Sequence, residues 1–359
     1  MIAQNFPFSR RTTFDLATSD KILRKILETT REGILVVGRD TRIIAANGAA
    51  LAAFGRNDTA LENMRLSEVI RDASLHDGFR KATDLAEPSI HRLELFGTHK
   101  RTYNVQVAPI ELGGSNGAIG FFYDVTPIER LEVFRQEFLT NISHELRTPL
   151  TSILAFVETL EDGAVDDPEN NRRFLGIIRR NAERMGSLIS DILELSQIEY
   201  GTVSIEKRPV RLSRLVDDIF VDLSKAAAVR EIGLINAIDS ENEVLADSVR
   251  LGQMLTNLID NAIKFNRTDG TVTVNHLPQS KGDVITVEDS GEGISAIHLQ
   301  RVFERFYRID RARSQEVAGT GLGLAIVKHL AKLHGGKVSA RSVPGSGTTF
   351  SIVLPKVQS

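Results

Sequence analysis

The segment FLTNISHELRTPL, residues 138–150, places one histidine where it can do chemistry. Apolar residues recur at steps of three and four from Phe138 to Ile153, which predicts a helix with one buried stripe. His144 comes two residues after Ile142, so at about 100° per residue it faces away from that stripe. Because a neutral imidazole has a lone pair available at cytoplasmic pH, His144 is the candidate nucleophile.

The neighbours of His144 favour a reactive role over a structural one. Glu145 follows directly, and Thr148 lies one helical turn on, on the same face. Pro149 cannot donate to the carbonyl of Glu145, so we expect the helix to bend just beyond the histidine. A lone histidine is more often structural or merely solvated, but this one has a carboxylate, a hydroxyl and a helix bend beside it.

A second polar group lies in residues 257–265, NLIDNAIKF. On a helix, Asn257, Asn261 and Lys264 share one face, and the apolar residues between them point to the core. Amide oxygens suit a Mg²⁺ ion that keeps part of its water, and a lysine suits phosphate. The alternative is an ordinary amphipathic helix with a polar outer face.

Two glycine-rich segments follow. Asp289, Gly291 and Gly293 come just after an apolar strand, where an acid can accept a hydrogen bond from the amine of adenine; an isolated segment of this kind can also be only a turn. Residues 319–323, GTGLG, open a helix whose free N–H groups attract phosphate. Their spacing is not the Rossmann fingerprint, and no Walker lysine motif occurs in the chain.

Between these segments lies FERFYR, residues 303–308, followed by a charged stretch, 311–317, which we interpret as a lid. Arg308 is placed to meet the outer phosphate of a nucleotide. Arg305 is a weaker candidate, and either arginine can instead be a plain surface residue.

Length and composition bound the remaining classes. The chain has 359 residues, a net charge of -3 and no cysteine, so disulfides and thiolate metal sites are excluded and nucleic acid is not an expected partner. We expect no signal peptide and no integral membrane segment, because the longest apolar run, 43–54, is too short to span a bilayer. The expectation is a cytoplasmic protein.

The chain predicts a multidomain α+β fold. After a flexible start at 1–19, residues 20–125 read as two strands, small helices and three strands, with a hairpin turn at 113–117. Residues 126–203 form a linker helix and a helical hairpin with a turn at 161–168, and residues 207–359 mix strands and helices. Because each long helix of the hairpin has one apolar seam that it cannot bury alone, we expect a homodimer built on a four-helix bundle.

In this order, the histidine segment and the later constellations resemble the phospho-acceptor box and the N, G1, F, G2 and G3 boxes of bacterial two-component sensor histidine kinases. The resemblance covers about residues 134–354 and is nearest in style to the phosphate-regulon sensor kinases. Residues 20–125 resemble a PAS sensor domain. The resemblance implies a dimeric HisKA hairpin and an α/β-sandwich ATP-binding domain of the Bergerat type, shared with Hsp90-like, gyrase-type and MutL-type ATPases.

The resemblance also implies roles. ATP and Mg²⁺ are the implied cofactors: His144 takes the γ-phosphoryl group, Glu145 holds the other ring proton, and Thr148 orients water for the reverse, phosphatase reaction. Asn261 is the implied Mg²⁺ ligand. The remaining implied ATP-binding residues are Asn257, Lys264, Asp289, Gly291, Gly293, Tyr307, Arg308, Gly319, Gly321, Leu322 and Gly323.

The implied partner is the receiver domain of a separate response regulator, since no receiver-like segment is expected after Ser359. Two other classes stay open: a conformational clamp ATPase, and a degenerate dimeric scaffold. A kinase that acts mainly as a phosphatase is a third alternative. A ligand of the PAS domain is not identified; His76, His91 and His99 are candidate haem or metal ligands, though solvated histidines are the simpler interpretation.

Overall fold

The computed structural model describes residues 16–55, 61–96, 100–280, 282–309 and 319–356. The chain divides into two compact units, Met1–Gln136 and Glu137–Ser359. Residues 1–15 of the expected flexible start, His99 and the expected lid at 311–317 lie outside the described residues. The first helix begins at Leu16, inside the segment expected to be flexible.

The first unit has the expected order of two strands, small helices and three strands. Its elements are α1 (Leu16–Thr29), β1 (Gly33–Val37), β2 (Ile43–Ala46), α2 (Gly48–Ala53), α3 (Leu66–Val69), α4 (Ala73–Leu85), β3 (Ser89–Phe96), β4 (Lys100–Leu112) and β5 (Ser115–Asp124). The strands form one antiparallel sheet in the order β2-β1-β5-β4-β3. Gly113 and Gly114, both with positive φ, make the tight turn from β4 to β5, as expected.

Aromatic residues fill the interior of this unit. Phe79 of α4 and Phe122 of β5 are fully buried, and the ring of Phe54 meets Phe122 edge-on at 5.3 Å. His76 bonds the carbonyl of Ile70, and His91 bonds two serine hydroxyls. Among the described residues, no three potential ligands gather into a metal-binding group.

Two long helices follow. Helix α5 (Thr126–Glu161) runs without a break through the histidine segment, and a 3-10 turn at Ala164–Asp166 leads to α6 (Pro168–Glu199). Asp167 caps α6 with its carboxylate, and the proline after it occupies the first helical position, where it needs no N–H partner. Large apolar side chains stay exposed along both helices: Leu139, Leu150, Leu154, Leu175, Ile189 and Leu193.

The rest of the second unit mixes strands and helices. Its elements are β6 (Arg208–Arg211), α7 (Leu212–Val229), β7 (Gly233–Asn236), β8 (Glu243–Ala246), α8 (Ser248–Lys264), β9 (Thr271–Gln279), β10 (Gly282–Asp289), α9 (Ala296–Leu299), α10 (Gly323–Leu333), β11 (Lys337–Val343) and β12 (Gly347–Pro355). The main sheet has the order β11-β12-β10-β9-β7, with one parallel pair, β7 and β9. Helices α7, α8 and α10 pack on this sheet around a single core, to which α6 adds Leu188, Leu195 and Ile198.

Among the helices of the described residues, none combines the length and the apolar character that crossing a bilayer requires.

Candidate active site

His144 lies on the exposed side of α5, as the sequence predicts. The helix is held from its other side, where Ile142 and Leu146 pack against the core of the second unit. The hydroxyl of Thr148 donates to the backbone carbonyl of His144 at 3.2 Å. Pro149 has no N–H, so the helical ladder loses its bond to the next carbonyl, that of Glu145. The imidazole is therefore accessible on a helix that is otherwise anchored.

Glu145 has a partner that sequence reasoning missed. The guanidinium of Arg184, on α6, donates to the carboxylate of Glu145 at 3.2 Å. The side chain of Arg184 is 21% exposed and that of Glu145 is 30% exposed. Arg184 also lines a groove of about 690 Å³ beside His144, together with Arg147, Thr148 and Asn181. The surroundings of His144 are thus more basic than the segment 138–150 alone indicates.

The polar face predicted for α8 is present. Apolar residues on its other side, among them Leu258, Ile259 and Ile263, are fully buried, whereas Asn257, Asn261 and Lys264 are only half-buried. Asn257 donates to the carbonyl of Gly323 at 3.4 Å, which joins this face to the start of α10. Lys264 pairs with Asp260 at 2.5 Å.

Asp289 ends β10 as a buried carboxylate. One of its oxygens accepts hydrogen bonds from the N–H of Gly291, at 2.9 Å, and of Thr348, at 3.2 Å. Burial raises the pKa of Asp289, and these two donors oppose the shift. A Cβ on Gly291 would lie 2.5 Å from the carbonyl of Phe265, so glycine lets the loop lie directly on the end of α8.

The segment 319–323, which we call the glycine loop, meets the FERFYR segment. Gly321 has φ of 72°, and a Cβ there would lie 2.9 Å from the Cα of Phe306; the Phe306 N–H donates to the Gly321 carbonyl at 2.9 Å. Arg308 donates to the carbonyl of Gly319 at 2.6 Å. Burial lowers the pKa of Arg308, the nearby Arg184 lowers it further, and Glu145 opposes both.

Tyr307 points to a different neighbour. Its hydroxyl lies 2.6 Å from Nδ1 of His298, in α9, and the guanidinium of Arg301 stacks on its ring at 4.3 Å. Gly293, which has φ of 71°, turns the same part of the chain toward β11. These contacts hold Tyr307 of the FERFYR segment against α9 and the turn that follows it.

The second unit therefore brings the predicted ATP-binding segments into contact: Asn257 of α8 with Gly323, and the glycine loop with the FERFYR segment. The half-buried amides of Asn257 and Asn261 fit a Mg²⁺ ion that shares its coordination with phosphate and water. The tight glycine contacts fit a ligand that lies against the backbone. Leu322 is fully buried and precedes α10, so its side chain anchors the glycine loop.

Sequence reasoning also missed three acids on α6. Asp191 accepts a hydrogen bond from Thr320 at 2.6 Å, and Glu194 pairs with Arg250 at 2.9 Å. Glu199 pairs with Arg305, so that this arginine, expected near phosphate, binds α6. In the sequence these acids look like the solvated face of an amphipathic helix, and no local signal sets them apart.

Family models match the chain in three places. Residues 27–130 match a PAS fold, residues 134–201 the His Kinase A (phospho-acceptor) domain, and residues 246–358 the histidine kinase-, DNA gyrase B- and HSP90-like ATPase domain.

Curated relatives are similar to the chain over most of its length. The sensor histidine kinase WalK of Bacillus subtilis is 32% identical over 93% of this chain and 55% of its own length. The sensor protein SrrB of Staphylococcus aureus is 29% identical over 95% of this chain and 57% of its own length. This chain thus spans just over half the length of these relatives.

Solved structures have the same fold. Histidine kinase ThkA, in its complex with response regulator protein TrrA, matches with a TM-score of 0.51 and 22% identity over 93% of this chain and 98% of the ThkA chain. Acinetobacter baumannii histidine kinase AdeS matches with a TM-score of 0.50 and 23% identity over 60% of this chain and 98% of its own. The PAS, phospho-acceptor and ATPase matches follow one another in this order, and over most of its length the chain is similar to sensor histidine kinases.

Proposed function

We propose that the chain is an ATP-dependent protein histidine kinase that phosphorylates itself on His144. The observation that carries this proposal is an exposed imidazole on the phospho-acceptor helix, in the same compact unit as the ATPase domain. In the reaction, Nε2 of His144 forms a bond to the γ-phosphorus while the bond from that phosphorus to the β,γ-bridging oxygen breaks, and ADP leaves.

The residues of the site divide this work. Asp289 would accept a hydrogen bond from the adenine amine, and the N–H groups of the glycine loop would face the phosphates. Asn261 would hold Mg²⁺, with Asn257, Lys264 and Arg308 close by. Magnesium supplies neutralisation of charge on the transferred group.

Glu145 and Thr148 would act on the histidine itself. Glu145 would hold the proton on the second ring nitrogen and stabilise the positive charge that develops during transfer. Thr148 would orient a water molecule for removal of the phosphoryl group from the response regulator. Its hydroxyl already faces the same side of α5 as His144, since it bonds the carbonyl of that residue.

The proposed partners are a second copy of the chain and a response regulator. The exposed apolar residues of α5 and α6 support pairing into a four-helix bundle, and the phospho-acceptor domain match is to a family that dimerises. The complex of ThkA with TrrA supports a receiver-domain aspartate as the final acceptor. Light scattering that shows a monomer at micromolar concentration would refute the dimer.

We also propose a division of the chain into a sensor domain at 20–125, a linker and phosphotransfer hairpin at 126–203, and a catalytic domain at 207–359. The unbroken course of α5 from Thr126 supports control of the hairpin by the sensor domain. Because the proposed donor is ATP, the reaction is placed in the cytoplasm. The ligand or stimulus of the sensor domain is not part of the proposal.

Incubation with Mg²⁺ and γ-labelled ATP, beside His144→Gln, tests the central claim. We expect acid-labile, alkali-stable label on the parent chain and none on the variant. ATP hydrolysis without His144-dependent label would instead favour a clamp ATPase. The absence of both label and hydrolysis would favour a scaffold, and dephosphorylation of a regulator by the unlabelled protein would identify a phosphatase-biased kinase.

A further inference from the structure

A carboxylate from α6 lies against the glycine loop. The hydroxyl of Thr320, between Gly319 and Gly321, donates to Asp191 at 2.6 Å. The same hydroxyl oxygen accepts from the N–H of Leu322 at 3.2 Å. Asp191 is therefore linked through one hydroxyl to a backbone donor at the start of α10, where an anion is favoured.

The second group around Asp191 is a cation. Burial raises the pKa of Asp191, and both the Thr320 hydroxyl and the Lys264 ammonium lower it. Lys264 is paired with Asp260, one turn back on α8, and its positive charge still favours the ionised form of Asp191. A donor at a helix start together with a lysine is the kind of setting that binds phosphate.

We propose that Asp191 occupies the phosphate end of the nucleotide site and competes there with the phosphates of ATP. The inference rests on the proposed function, since it takes the glycine loop and Lys264 as phosphate-binding groups. Asp191 belongs to the phosphotransfer hairpin and not to the ATPase domain, so this competition makes the affinity for ATP depend on where α6 lies.

Glu194, nearly one turn further along α6, is the matched control. It pairs with Arg250 at 2.9 Å and accepts a hydrogen bond from Gln253, both in the first half of α8. Like Asp191 it joins α6 to the ATPase domain, but its partners lie away from the glycine loop. A change at Glu194 therefore weakens the docking of α6 without removing charge from the phosphate end.

The test compares the binding of ATP and of adenosine to the full-length chain, by calorimetry in the presence of Mg²⁺. Asp191→Asn keeps the shape of the side chain and removes its charge. We expect this variant to bind ATP about three- to tenfold more tightly, the effect of one partly screened charge, and to bind adenosine as the parent does. Asp191→Glu keeps the charge and is expected to retain weak ATP binding, and Glu194→Gln is expected to match the parent with both ligands.

Each other outcome overturns the inference in an identifiable way. Equal ATP affinity in the parent and Asp191→Asn would show that the carboxylate does not compete with phosphate. An equal gain for ATP and adenosine, shared by Glu194→Gln, would show that α6 only obstructs the whole site. If neither the parent nor any variant binds ATP, the proposed function itself fails and the inference fails with it.

Discussion

The carboxylate of Glu145 lies 3.2 Å from the guanidinium of Arg184, which reaches it from α6 across the helical hairpin. The two residues are 39 positions apart in the sequence, and the hairpin turn at Ala164–Asp166 brings their helices side by side. The paired carboxylate belongs to Glu145, the residue that directly follows His144 in the chain. In the proposed mechanism Glu145 would therefore have two competing partners, this guanidinium and the His144 imidazole.

Glu145→Gln tests whether that charge is needed for phosphoryl transfer. We expect autophosphorylation to slow by about 10²-fold, because an amide cannot stabilise the imidazolium that forms. Single-turnover labelling with ATP at saturation measures the rate without a contribution from nucleotide binding. Glu158→Gln, an exposed acid further along α5, is the control. Labelling of Glu145→Gln at the parent rate would remove Glu145 from the mechanism.

Thr148→Ala separates the forward reaction from the reverse one. Autophosphorylation needs no hydroxyl at this position and should stay within about twofold of the parent rate, whereas dephosphorylation of the response regulator should slow by about 10²-fold. Thr159→Ala is a matched control, because Thr159 makes the same kind of bond to a helical carbonyl, that of Ala155, at 2.8 Å. Unchanged dephosphorylation in Thr148→Ala would refute the water-orienting role.

Asp289→Asn should separate stability from binding. Burial raises the pKa of Asp289 in the folded state, so its stabilising effect is full below the unfolded-state pKa near 3.8 and is lost as the pH rises through the folded-state pKa. At pH 7 the ionised carboxylate therefore costs stability, and an isosteric amide removes that cost. We expect a melting temperature equal to or above that of the parent.

The affinity for ATP should fall in the same variant, Asp289→Asn. An amide N–H in place of the second carboxylate oxygen would face the donor amine of adenine, and we expect ATP affinity to fall by about 10²-fold. Calorimetry with ATP checks this, with the exposed Asp269→Asn as control. If Asp289→Asn bound ATP with the affinity of the parent, Asp289 would not be the acceptor for the adenine amine.

The burial of His334 predicts that the second unit loses folding stability at acid pH. This residue is 1% exposed; its Nδ1 lies 2.8 Å from the carbonyl of Leu330, and its Nε2 accepts from the N–H of Asp247 at 3.2 Å. Burial lowers the pKa of His334, so its stabilising effect is present above the unfolded-state pKa, about 6.5, and is lost as the pH falls through the folded-state pKa. Thermal unfolding between pH 7.5 and about 5 should show this loss.

His334→Gln should flatten that part of the pH dependence, because glutamine does not titrate. Since Asp247 caps the start of α8, acid should also weaken the helix that presents Asn257. An identical pH profile in the parent and in His334→Gln would contradict this assignment.

Much of the site could be predicted from local sequence patterns, whereas its long-range contacts could not. The 3.6-residue period exposes the polar face of α8, and an acid after an apolar strand indicates the position of Asp289, because both signals lie within a few residues. The bond from Thr320 to Asp191 joins residues 129 positions apart. A charged residue on an amphipathic helix looks the same whether it meets water or another domain.

The strand order of the second unit makes the surroundings of Asp289 depend on the last strand of the described chain. Strand β12, the last element of the described chain, lies inside the sheet between β11 and β10, and its register places Thr348 opposite Asp289. One of the two donors to Asp289 is thus missing until the ribosome has delivered β12. The first unit, by contrast, has its whole sheet by Asp124 and can fold as it emerges. An incomplete chain can therefore contain the whole sheet of the first unit and His144 while Asp289 still lacks one of its two donors.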